Sequence, residues 1–338
     1  VATCFTWSVR IVVAPDKFKG TATADALATA LVAALIDAGH DVSGFPMADG
    51  GEGFLDALGG PNRTSTVTGP DGAPVEARWR LVRGTAVIEM AEAAGLILAG
   101  GPDDNDPVEA TTAGVGQLIS LAIESGARRV IVGVGGSATT DGGLGALRAM
   151  HPTARFRGVD IEVACDVRTR FVDAAEVFAP QKGATPAQVE LLRRRLERLA
   201  QVYLDEHGVD VTAVDGAGAA GGLAGGLVTI GAQLTGGFDL VADELHLDEA
   251  IADADLVITG EGFLDAESFD GKVVGGVAEL CADAGVPCLA IVGEVVDPLP
   301  PLPSGLTVVS LIAQFGEERA LADPVGCVVE LALEHVEH

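Results

Sequence analysis

The sequence predicts a two-domain α/β protein: a discontinuous Rossmann-like parallel-sheet domain with a second α/β domain inserted into it. Three observations carry this expectation. Short apolar runs rich in β-branched residues alternate with helical patterns, as buried parallel strands and their covering helices do. Each run stops at a cluster of Asp, Gly and Pro. The runs also fall into two groups, one before residue 60 and one after residue 254, separated by a middle segment with strands of its own.

In chain order, Arg10–Ala14 reads as a buried strand running into Pro15-Asp16, and Ala22–Ala38 as a helix with apolar residues three and four apart. Asp41–Phe45 is the second strand and ends in Pro46-Met47-Ala48-Asp49-Gly50. The middle segment supplies strands over Ala86–Met90, Arg129–Val134 and Asp160–Ala164, and a helix over Pro186–Glu206. The outer pattern resumes at Ala254–Thr259 into Gly260-Glu261-Gly262, the helix Val273–Ala284, Pro287–Val292 into Gly293-Glu294, and Leu306–Ile312. The expected domains are 1–60 with 249–338, and 61–248; no repeat of fixed period is present. Ligands of such sheets bind beyond the carboxyl ends of the strands. The Asp/Gly clusters sit there, so the active site is expected in the cleft between the domains.

At 338 residues the chain exceeds one ordinary core, and 48% apolar against 21% charged residues describes a globular protein. The net charge of −28 sets it against nucleic acid and anionic membranes, both of which need a basic footprint. Aromatics, at 4%, offer few stacking platforms for bases. Cys4, Cys165, Cys281, Cys288 and Cys327 form no CxxC pair and, with six scattered histidines, no zinc spacing. Reduced thiols in a cytoplasmic protein fit best. Val1 to Arg10 lacks the basic and apolar regions of a signal peptide. The uncharged run Gly216–Phe238 holds nine glycines, which suits tight helix contacts and not a membrane span.

Lysine is the sharpest chemical clue. Only Lys17, Lys19, Lys182 and Lys272 occur, and three of them touch glycine, in Lys19-Gly20, Lys182-Gly183 and Gly271-Lys272. Glycine lets backbone approach a phosphate or carboxylate closely while the ammonium neutralises it. Carboxylates in glycine settings form the second group: Asp16, Asp49 with Glu52, Asp141, Asp166, Glu261 and Asp265. Most single acidic residues in turns are caps or turn formers, but Asp49-Gly50-Gly51-Glu52-Gly53 exceeds what a turn requires. A third feature is the loop Gly133-Val134-Gly135-Gly136-Ser137-Ala138-Thr139-Thr140-Asp141-Gly142-Gly143 after the strand Arg129–Val132, a pattern that offers N–H groups and hydroxyls to an anion. Gly216-Ala217-Gly218-Ala219-Ala220-Gly221 matches GxGxxG without a preceding strand and reads as helix packing. Neither GxxxxGK[ST] nor GxSxG occurs, which excludes an ordinary P-loop kinase and a nucleophile-elbow hydrolase.

Several of these segments, in this order, make the chain similar to the bacterial glycerate kinase family. They are Ala14-Pro15-Asp16-Lys17-Phe18-Lys19-Gly20, Pro46 to Gly53, Gly135 to Thr139 with Asp141-Gly142-Gly143, Ala164-Cys165-Asp166-Val167, Pro180-Gln181-Lys182-Gly183-Ala184, Gly216 to Gly222, and Ile258-Thr259-Gly260-Glu261-Gly262. The resemblance spans residues 10 to 295 and implies a two-domain, non-P-loop enzyme transferring the ATP γ-phosphate to glycerate with Mg²⁺. The acceptor stays open between the 2- and 3-hydroxyl, and the assembly between monomer and homodimer. On the matched positions, Asp166, Asp49, Lys272 and Asp265 are the catalytic candidates, and Asp49 and Asp166 the Mg²⁺ ligands. Asp16, Lys19, Gly50, Gly51, Glu52, Gly135, Gly136, Ser137, Thr139, Asp141, Lys182 and Glu261 are the substrate and phosphate candidates. The chain departs from the family's pattern at Phe263, where arginine is usual, at Asp270, where histidine is usual, at Val167-Arg168, and at Lys17, where serine is usual. Such changes redirect or abolish turnover, so a kinase of another small hydroxy acid or polyol, and a non-catalytic metabolite-binding relative, are the alternatives.

Overall fold

The structure, a computed structural model, describes residues 8–296 and 298–336. Cys4 and the start of the N-terminal stretch screened for a signal peptide lie outside the described residues. Two compact units form, one from the described residues of Val1–Asp49 and Phe238–His338, the other from Gly50–Gly237. Expected cuts at 60/61 and 248/249 thus compare with observed ones at 49/50 and 237/238. The short helix Phe54–Ala57 packs on the strand Thr85–Glu89, and the helix Leu247–Ala252 on the helix Val273–Ala284, which ties each to its unit.

The first unit holds a fully parallel five-stranded sheet. Its order is Leu306–Ser310, Cys288–Val292, Leu256–Gly260, Arg10–Pro15 and Asp41–Gly44. The helix Ala24–Asp37 buries Leu27, Ala28, Leu31 and Leu35, a stripe spaced by three and four, against one sheet face. It starts where expected because Thr23 caps it, its hydroxyl accepting the Ala26 N–H at 3.2 Å. Val273–Ala284 covers the other face through Val274, which packs with Leu264, Ala290 and Val292. The predicted strand Leu306–Ile312 stops at Ser310, since that hydroxyl caps the helix Leu311–Phe315.

The topology has one point where winding reverses. From Arg10–Pro15 the chain moves outward to Asp41–Gly44, and from Leu256–Gly260 it moves the opposite way to the remaining strands. Open α/β sheets bind ligands beyond the carboxyl ends of the strands that flank such a point.

The second unit holds a six-stranded sheet ordered Arg63–Thr68, Pro74–Val82, Thr85–Glu89, Arg129–Gly133, Asp160–Ala164, Gln233–Thr235. The first three strands are antiparallel and the rest parallel. Across its carboxyl edge Glu89, Gly133, Ala164 and Thr235 lie in register. The glycine-rich helix Ala219–Val228 packs on the loop after the strand Arg129–Gly133; a Cβ on Gly221 would lie 2.0 Å from the Thr139 carbonyl oxygen. Close packing is its role. Among the described residues no helix is long and apolar enough to cross a membrane.

Candidate active site

In the first unit the reversal point gathers charge. Pro15 ends its strand opposite Gly260, so Asp16 and Glu261 emerge side by side, and the Asp16 N–H donates to the Gly260 carbonyl at 2.8 Å. Lys17 places Nζ 3.4 Å from Asp16 Oδ1 and 3.5 Å from Asp49 Oδ1. Burial pushes the Asp16 carboxyl up to about 6, against the pull of Lys17 and with a push from Asp49. Burial draws Lys17 down, but the two carboxylates more than offset it and leave the ammonium above its usual value.

Glu261 is also driven up by burial, to about 7, with Asp16 and Asp265 adding to the rise and Ser268 and Lys272 opposing it. Its Oε1 is buried without a hydrogen-bond partner, a costly state that a ligand donor would relieve. Lys272 is the N-cap of Val273–Ala284, so its backbone lies where that helix presents unpaired N–H groups. It rests 3.3 Å from Glu267 Oε2. Asp265, one of the expected catalytic residues, caps a short 3₁₀ helix through Oδ1, which accepts the Ser268 N–H at 3.0 Å. Lys19 is exposed on the tight turn Phe18–Ala22, and Phe263 is 55% exposed.

In the second unit Gly50 and Gly51 are explained by close packing over the sheet's carboxyl edge, whereas Gly53 has open space around it and is required by its φ of +88°. A Cβ on Gly50 would sit 2.8 Å from the Ala164 carbonyl oxygen, and one on Gly135 2.3 Å from Gly51 Cα. Glu52 is exposed, and Asp166, just past Ala164, accepts the Gly237 N–H on Oδ1 at 2.6 Å. The Gly135–Thr140 loop spends part of its anion-binding capacity on itself. Gly135 N–H donates to Gly50 O at 3.0 Å, and Ala138 N–H to Ala94 O at 2.9 Å. Gly136, at φ +70°, accepts the Leu96 N–H on its carbonyl, and Ser137 is buried, with 9% exposure. The hydroxyls of Thr139 and Thr140 are buried without partners.

Two expected ligand residues prove to be internal braces. The Asp141 carboxylate accepts from Thr112 N–H (2.9 Å), Thr112 Oγ1 (2.8 Å), Gly143 N–H (3.0 Å) and Gly145 N–H (3.1 Å), leaving it no capacity for a substrate. Burial still raises its pKa against these donors. Lys182 is 2% exposed and donates to the Thr139 carbonyl at 2.7 Å. Burial lowers it to about 7, with Asp141 opposing, so it does not meet a phosphate from solvent.

One buried group escaped the sequence reading. Glu89, 7% exposed, accepts the Leu55 N–H at 3.1 Å. Burial lifts its pKa to about 7, while the N–H groups of Leu55 and Gly53 pull it back. The signal was present: a carboxylate closing the apolar run Ala86-Val87-Ile88 cannot be solvated and must be partnered.

Compared with known proteins, the chain matches the model of the Glycerate kinase family over residues 11–153 and 150–326. It is 37% identical over 329 residues to "Glycerate 2-kinase" of Escherichia coli (strain K12), covering 86% of each chain. It is 38% identical to "Glycerate kinase" of Haemophilus influenzae over 84% of this chain and 86% of that one. A crystal structure named for glycerate kinase 2 of Salmonella typhimurium LT2 superposes with a TM-score of 0.81 at 34% identity, covering 98% of both chains.

Proposed function

Because this chain belongs to the glycerate kinase family, of phosphotransferases with an alcohol acceptor, we propose that it transfers the ATP γ-phosphate to a hydroxyl of glycerate. The observation that supports this most is the reversal point of the first unit. There Asp16, Asp49 and Glu261 carboxylates meet Lys17 and the Lys272-led helix N-terminus, the parts that phosphoryl transfer needs.

Among the described residues no group of three or more His, Cys, Asp or Glu is arranged to hold a metal. A nucleotide-borne Mg²⁺ asks for less, since one or two carboxylates suffice when phosphates and water complete its shell. In place of the expected pair Asp49 and Asp166, Asp16 and Asp49 are the pair proposed to meet that demand, because both converge on the Lys17 ammonium. When bound, Mg²⁺ would neutralise charge on the phosphates.

Lys272 and the N–H groups of its helix hold the terminal phosphates. Asp166, whose Oδ1 is fixed by Gly237, orients the glycerate hydroxyl and takes its proton as that oxygen attacks the γ-phosphorus and the bond to ADP breaks. Ser137 and Glu52 complete the hydroxy-acid contacts. Phe263, exposed and uncharged, cannot clamp a carboxylate, and this favours an acceptor without one, a small polyol, as the second reading. A coupled ADP-release assay with ATP, Mg²⁺ and D-glycerate, against a panel of hydroxy acids and polyols, tests the proposal. Glycerate-dependent release supports it; release with another acceptor alone transfers it to the second reading, and release with none sinks both.

A further inference from the structure

Beside the reversal point, still within the first unit, the carboxyl edge of the sheet carries a depression of about 490 Å³ that the phosphate chemistry does not use. Its walls come from Glu294 and Val295, just past the strand Cys288–Val292, and from Val309, Ser310, Ile312 and Gln314 around the end of the outermost strand. The size lies within the range that small-molecule sites occupy, roughly 300–1,000 Å³.

We propose that this depression receives the purine base of the nucleotide, with Glu294 and Gln314 reading its exocyclic amine and ring nitrogens. The proposal rests on the kinase reading and adds to it where the nucleotide lies. Continuity is the first support. The depression's wall is hydrogen-bonded directly to the charged loop, since Gly293 N–H donates to Glu261 O at 3.0 Å and Glu294 N–H to Gly262 O at 3.1 Å. Phe263 and Leu264 then pair with Glu294 and Val295 as a two-stranded ladder.

Distance is the second support. The outermost strand lies two strand spacings from Leu256–Gly260, about 10 Å in all. An extended nucleotide with its phosphates at the end of Leu256–Gly260 is long enough to span that gap. Chemistry is the third. Val295, Val309 and Ile312 give a neutral ring apolar walls, whereas the Glu294 carboxylate repels phosphate and glycerate alike but accepts from an amine. An adenine presents that amine; a guanine turns a carbonyl oxygen toward the same place. The base belongs in the depression, and the phosphates at the other end of the edge.

Calorimetric titration of the full chain with ADP, GDP and inorganic tripolyphosphate tests this without relying on turnover. Ala313→Trp fills the depression from an exposed position. It should weaken ADP by about tenfold or more while leaving tripolyphosphate within about twofold. Glu294→Gln should narrow the preference for ADP over GDP. Should Ala313→Trp misfold, Gln314→Ala, also exposed, carries the same expectation at a smaller loss. A folded Ala313→Trp variant that binds ADP as tightly as the wild type overturns the base site and leaves the kinase reading standing. Wild-type protein that binds neither ADP nor tripolyphosphate overturns both.

Discussion

Replacing Lys182 by Met separates an internal brace from a phosphate contact. The lysine is 2% exposed, its ammonium donates to Thr139 O at 2.7 Å, and burial lowers its pKa from 10.5 to about 7. In the unfolded chain the ammonium is retained up to its ordinary pKa, so between about pH 7 and 10.5 the unfolded state binds more protons than the folded one. Stability therefore rises with pH in that window and falls as pH drops toward 7, by up to about 1.4 kcal/mol per pH unit. From pH 7.5 to 9 the wild type should gain about 2 kcal/mol over Lys182→Met, in which every other titrating group is kept and cancels. Urea unfolding at pH 7.5, 8.25 and 9, followed through Trp79, buried in the same unit, measures the difference. A phosphate role predicts the reverse pattern: parallel stability curves and a large rise in KM for ATP. Parallel curves would refute the buried-brace account.

Glu89→Gln should remove a second pH dependence of opposite sign. With its carboxyl raised from 4.5 to about 7, the folded state holds the proton longer, so its contribution to stability is present below about pH 4.5 and is lost as pH rises through 7. The glutamine variant should be flatter over that range, and Glu89→Ala, which orphans the Leu55 N–H, should cost about 1–3 kcal/mol in the same unfolding experiment. Lys272→Ala should lower kcat/KM for ATP by about a hundredfold or more while the melting temperature moves little, because its side chain is partly exposed and its ion pair is with the exposed Glu267; unchanged kinetics would contradict the phosphate role. Phe263→Arg adds a cation on an exposed position and should lower KM for glycerate with kcat held, a change an assay at saturating ATP reads directly.

The parallel strands were readable because burial on both faces leaves continuous apolar runs, as in Arg10–Pro15 and Cys288–Val292. Arg63–Thr68 and Pro74–Val82 were missed for the converse reason. Each exposes one face, so charged and hydroxyl residues interrupt any apolar run, and only their mutual pairing defines them. Asp16, Asp49, Glu261 and Lys272 were legible as a charged set because all sit at strand or helix ends. Exposure was not legible. Glycine beside lysine looks the same in sequence for Lys272 at a helix start, where Gly271 has open space, and for Lys182 under a loop, where Gly183 is packed on Pro102, and only tertiary packing tells the two apart. Asp141 misled for a similar reason, since a carboxylate that caps a glycine turn and one that meets a ligand share the same local sequence.

The most direct measurement is ³¹P NMR of a reaction containing the full chain, ATP, Mg²⁺ and D-glycerate. The account predicts loss of the γ-phosphate signal matched by growth of a single phosphoglycerate resonance, whose position also distinguishes the 2- from the 3-phosphate. Inorganic phosphate appearing in its place, or an unchanged ATP spectrum under conditions where the protein is folded, would contradict it.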